Sequence, residues 1–221
     1  MTSSNDCPWR LVVSDMDGTL ISGTTALAHL SAWLGQDALV DKLEQKLAQG
    51  QISDREVANL YALSYRDVTL ADAVNEMSRI PSVTDIGTGV AMLHSRSIEA
   101  VIATVSWSFA ARALADLWGF SEVCGVDLEV DPVSGQFTGQ VARHFAPEDK
   151  AAFVEQHCQR VGITMDEVVA IGDSRSDLPL FDAVGFSVAL NATPHARSAA
   201  TVAVDSPSFL TALYAVPDLL L

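Results

Sequence analysis

Apolar positions follow two rhythms along the chain. Residues 10–14 form a short apolar run that reads as a buried strand, ended by the polar turn Asp15, Asp17, Gly18 and Thr19. From Thr24 to about Arg79 the spacing becomes helical, with no convincing strand. Within that stretch Gly50 can close one helix, Ser53 and Glu56 have capping-box spacing, and Thr69 with Asp72 offers a weaker helix start. Pro81 ends it. After Thr84 strands and helices alternate. Strands are predicted at 100–105, 123–126, 168–171, 186–189 and 202–204, and helices at 108–117, 147–161 and 177–184. Residues 128–130 and 136–140, on either side of Asp131, Pro132 and Gly135, predict a β-hairpin.

This order implies an α/β fold: a Rossmann-like parallel sheet with helices on both faces, a small helical insertion after the first strand, and a hairpin. Residues 1–22 and 82–221 would form the core domain and 23–81 a helical cap domain. Ligands in such sheets bind where the carboxyl ends of the strands open into loops, so the insertion would sit over that edge.

Composition narrows the partners. The 221 residues are about half hydrophobic, enough to bury a core. The formal charge is −15, from 28 acids against 13 lysines and arginines, which disfavours nucleic acid and anionic membrane. An anionic substrate would therefore need a local cation. Three widely spaced cysteines argue for reduced thiols and a cytoplasmic protein. Met1 to Trp9 lacks the apolar core of a signal peptide. Pro217 and Asp218 interrupt the apolar C-terminal segment before it reaches membrane-span length.

Four features fall at the predicted active edge. Asp15 and Asp17 leave the first strand and meet Gly18, which permits a sharp turn. Ser106 follows the 100–105 run, where its hydroxyl and the Trp107 backbone N–H can hold a phosphate oxygen. Lys150, the only lysine outside the cap, lies in the first turn of its helix beside Glu148 and Asp149. Asp173 and Asp177 follow the 168–171 strand and can approach a metal together. Each has an ordinary reading as well: an acidic turn, a strand-end serine, a solvated lysine, capping acids. Their joint order along the chain is what selects the functional one.

That order resembles the haloacid dehalogenase superfamily, across Asp15 to Asp177. The resemblance implies a phosphatase in which Asp15 is the nucleophile and Asp17 the general acid and base. Ser106 and Lys150 would hold the phosphoryl oxygens. Mg²⁺ would be bound by Asp15, the Asp17 carbonyl and Asp173, with Asp177 in support and Gly18, Trp107 and Ser176 around the phosphate. The second acid, Asp17, separates this chain from the dehalogenases, which lack it and need no metal.

The cap position and hairpin look like the phosphoserine phosphatase branch, but the chain departs from it. Trp107 stands where that branch has glycine, and Ser176 where asparagine is common. Thr24 replaces the acid that would hold a substrate ammonium. Tyr61 replaces the arginine that would hold its carboxylate, with Arg55 and Arg66 nearby. The expected substrate is thus a small phosphate monoester, with a sugar, polyol or alcohol ester favoured over phosphoserine. L-Phosphoserine phosphatase, a phosphotransferase or mutase, and a non-catalytic phosphate-binding protein are the alternatives.

Overall fold

The computed structural model describes residues 7–220, apart from the side chains at 44, 48 and 54. Residues 1–6, part of the segment read above for a signal peptide, and residue 221 lie outside the described residues. A seven-stranded sheet runs through the molecule. Its strands are β1 (Leu11–Ser14), β2 (Glu99–Trp107), β3 (Glu122–Val130), β4 (Phe137–Arg143), β5 (Val168–Gly172), β6 (Phe186–Leu190) and β7 (Val202–Val204), in the order β4-β3-β2-β1-β5-β6-β7. β1 lies between β2 and β5 and is parallel to both, and only the β3–β4 pair is antiparallel.

The alternation along β1 explains the layers. Val12 joins a cluster on one face with Val169 and Ile171, whereas Leu11 and Val13 join a cluster on the other with Val168 and Ala170. A strand buried on both sides needs an unbroken apolar run, which β1 and β5 supply. Between β1 and β2 lie the helices α1 (Ala26–Trp33), α2 (Asp37–Ala48), α3 (Asp54–Ser64), α4 (Leu70–Met77) and α5 (Ile86–Ser95). Ser53 and Glu56 form the reciprocal capping box that opens α3, and the Thr69 hydroxyl accepts from the Asp72 N–H at α4. The chain enters and leaves the α1–α4 block through adjacent segments. The Ser22 N–H donates to the Pro81 carbonyl at 3.0 Å, and the Val83 N–H to the Leu20 carbonyl at 2.9 Å.

The remaining helices are α6 (Ser108–Trp118), α7 (Pro147–Val161), α8 (Leu178–Phe181), α9 (Pro194–Ala199) and α10 (Phe209–Tyr214). Two expectations need correction. The apolar segment at 123–126 and the first hairpin strand are one strand, β3, which shifts register as it passes from β2 to β4. The helix expected at 177–184 is only α8, after a 3-10 turn at Arg175–Asp177. Beyond it, Gly185 is drawn against the 165–167 turn, where a Cβ would stand 2.0 Å from the Asp166 carbonyl oxygen. The interval before β2 holds α5, whose glycines weaken the helical signal. Gly89 is needed there, since its Cβ would stand 2.8 Å from Leu213 on α10. No described helix is long and apolar enough to cross a membrane.

Candidate active site

Because β2, β1 and β5 are parallel neighbours, the residues that follow or end them share one edge of the sheet. Helix α7 returns antiparallel to the strands, so its first turn begins at that same edge and carries Lys150 to it. Lys150 is fully buried, and its Nζ donates to Asp15 Oδ1 at 2.8 Å, Asp177 Oδ1 at 2.7 Å and Ser176 Oγ at 3.4 Å. Burial opposes the ammonium charge, but the two carboxylates more than offset it and hold the Lys150 pKa above its usual value.

Asp15 is pushed well above the usual carboxylate range, first by burial and further by the charges of Asp177 and Asp173, against the pull of Lys150. One cation cannot balance three neighbouring carboxylates. Asp173 is raised to about 6 by burial and by Asp177, while a hydrogen bond from Thr19 works the other way. Oxygens of Asp15, Asp173 and Asp177 lie within 4.8 Å of one another. A hard oxygen set with excess negative charge fits a divalent cation such as Mg²⁺.

The hydrogen bonds distinguish the acids. Asp177 has both oxygens engaged: Oδ1 accepts from Lys150, and Oδ2 accepts from the Asp173 and Ser174 N–H groups at 3.0 and 3.1 Å. It is thereby fixed as a brace for Lys150 and for the turn after β5. Asp173 receives one weak contact, from Thr19 Oγ1 at 3.3 Å, and its backbone carbonyl accepts from the Thr193 N–H at 2.8 Å. Gly18 lies directly against it. A Cβ there would stand 2.4 Å from Asp173 Oδ2, and the φ of +81° suits only glycine well.

Asp17 sits apart from Lys150's bonds. Its Oδ1 accepts from the Ala26 N–H, in the first turn of α1, at 2.6 Å, and that bond, with the nearby Ser106 hydroxyl, favours the ionised form. Burial is the larger influence and raises its pKa. Asp15, Lys150, Asp173, Ser176 and Asp177 are therefore joined by direct hydrogen bonds, and Asp17 is held separately by the first turn of α1.

The other expected site residues are placed differently. Trp107 is buried with its ring edge-on to Tyr65, centroids 5.9 Å apart. Tyr61 is buried within α3. The Thr24 hydroxyl turns back to the Thr25 carbonyl at 3.4 Å. Arg55 is exposed, and Arg66 is spent on the Thr138 carbonyl. Sequence reasoning passed over Thr19 and the Ala26 N–H, which bond Asp173 and Asp17. Thr19 was visible inside the first motif, whereas a backbone N–H leaves no trace in residue identity.

The chain belongs to the haloacid dehalogenase-like hydrolase family, whose model matches residues 12–182. Among curated relatives it is similar to a phosphoserine phosphatase of Streptomyces coelicolor, 27% identical over 93% of this chain and 50% of that protein. It is also similar to one of Archaeoglobus fulgidus, 26% identical over 83% of this chain and 53% of that protein. The chain thus spans about half the length of these relatives. A solved HAD-family hydrolase from Salmonella enterica serovar Typhi shares the fold with a TM-score of 0.84 at 16% identity, over 94% of this chain and 71% of that one.

Proposed function

We propose that the chain hydrolyses a small phosphate monoester through a phosphorylated Asp15, with residues 23–81 acting as a cap over a core made of 1–22 and 82–221. The observation that carries this reading is the buried Lys150 bridging Asp15 and Asp177 beside Asp173. An Asp15 oxygen attacks phosphorus and the ester P–O bond breaks. Asp17, whose raised pKa favours the protonated form, gives its proton to the departing alkoxide. Asp17 then takes a proton from water, whose oxygen attacks phosphorus and releases inorganic phosphate and free Asp15. Lys150 and Ser106 hold phosphoryl oxygens. Mg²⁺ held by Asp15, the Asp17 carbonyl and Asp173 would neutralise charge between nucleophile and phosphate. Three buried, unpaired thiols support a cytoplasmic setting.

A second reading, hydrolysis of phosphoserine itself, is favoured by the names of the curated relatives. Hydrolysis of p-nitrophenyl phosphate by wild type, Asp15→Asn and Asp17→Asn, with Mg²⁺ or with EDTA, tests the common chemistry. Wild type is expected to turn over only with Mg²⁺. Asp15→Asn should fall to background, and Asp17→Asn should lose roughly 10²–10⁴-fold. Full turnover by Asp15→Asn would sink the covalent mechanism. Transfer of phosphate to added alcohol in place of water would make the chain a phosphotransferase.

A further inference from the structure

Around Asp17 the cap and core enclose polar atoms that the phosphoryl chemistry does not use. Tyr65 Oη, Trp107 Nε1 and Ser31 Oγ are all buried and complete no hydrogen bond with the described residues. They are neighbours. The Trp107 ring lies edge-on to Tyr65, centroids 5.9 Å apart, and directly follows Ser106 in the chain; Ser31 stands on α1, whose first turn binds Asp17, and is one of the groups that influence the Tyr65 hydroxyl. The cluster thus draws on the two elements that flank the acid assigned to the departing oxygen: α1, which binds Asp17, and the end of β2, which carries Ser106.

Its chemistry is uncharged. Tyrosine and serine hydroxyls each donate and accept, and an indole N–H donates. Buried atoms of this kind are costly unless paired, so their open valences point to a ligand that supplies hydroxyl groups. An amino-acid leaving group would instead bring an ammonium and a carboxylate into this enclosure. A buried charge needs a counter-charge. Lys150 is committed to Asp15 and Asp177, Arg66 binds the Thr138 carbonyl, and Arg55 is exposed. A carboxylate would therefore lie unpaired next to Asp17.

We propose that the ester cleaved here is the phosphate of a small, uncharged polyhydroxy alcohol, whose hydroxyls are bound by Tyr65, Ser31 and Trp107. This rests on the phosphatase reading and specifies its substrate. The test compares kcat/KM of the Mg²⁺-loaded protein for glycerol 3-phosphate, erythritol 4-phosphate, phosphoserine and p-nitrophenyl phosphate, in wild type and Tyr65→Phe. At least one polyol phosphate should exceed phosphoserine by about tenfold or more. Tyr65→Phe should lower polyol-phosphate kcat/KM by about tenfold, and several-fold less for the hydroxyl-free nitrophenyl ester. Melting temperatures of both proteins check that the variant folds. Phosphoserine matching or beating both polyol esters would overturn the proposal while Asp15-dependent nitrophenyl phosphate turnover kept the phosphatase reading intact. An equal loss on all esters in Tyr65→Phe would also overturn it, reducing Tyr65 to a packing role. No turnover of any ester would remove both.

Discussion

Lys150 reaches the acid cluster from a helix whose first turn already carries Glu148 and Asp149, and its full burial leaves Asp15 and Asp177 as its counter-charges. The residual repulsion falls on Asp173, raised to about 6 from an ordinary 3.8. Between those values the folded, metal-free protein keeps a proton that the unfolded chain has released. Stability therefore falls as pH rises through this window, because the native state binds more protons. A divalent cation removes the repulsion but must displace the proton first. Mg²⁺ should thus raise the melting temperature more at about pH 7.5 than at about pH 5, and Asp173→Asn should flatten the difference. Thermal melts with Mg²⁺ or EDTA at both pH values check this. An equal or larger increment at acid pH would contradict the placement of Asp173 against the cation.

At the level of elements, the β3–β4 hairpin does more than finish the sheet. Its tip is stitched to the chain between α3 and α4: the Phe137 N–H donates to the Val68 carbonyl at 2.9 Å, Asp67 N–H to Phe137 at 3.1 Å, and Leu70 N–H to Gly135 at 2.9 Å. Gly139 allows the close approach. Its φ is +84°, and a Cβ would meet the Arg66 side chain at 3.1–3.2 Å. Gly139→Ala should cost about 1–2 kcal/mol from the left-handed backbone alone. Urea unfolding would read that loss, and hydrogen exchange should quicken at Asp67, Leu70 and Phe137. Unchanged stability and exchange would show the stitch to be energetically idle. The hairpin itself was legible, because Asp131 and Gly135 bracket a turn between β-forming runs. Its pairing with 67–70 was not, since contact between elements distant in sequence leaves no local period. The same holds for Tyr65 and Ser31. Nothing in the identity of a tyrosine or serine says which neighbours it will meet, whereas Asp15, Asp17, Lys150, Asp173 and Asp177 were visible from their order at strand and helix ends.

For the molecule as a whole, the −15 charge and the proposed phosphate-ester substrate pull against each other. Lys150, the cation of the site, is buried and already shared by two carboxylates, so it projects little field into solvent. An approaching phosphate therefore meets net repulsion until it is close. Screening weakens that repulsion, because the Debye length shrinks from about 30 Å at 0.01 M salt to about 8 Å at 0.15 M. With Mg²⁺ saturating throughout, kcat/KM for a phosphate ester should rise roughly two- to five-fold over that range of potassium chloride. The turnover number at saturating substrate should change little, since the effect acts on encounter. A fall in kcat/KM with salt would mean that a local positive field at the cap entrance outweighs the charge of the whole chain, and would move the search for substrate-binding cations to the cap.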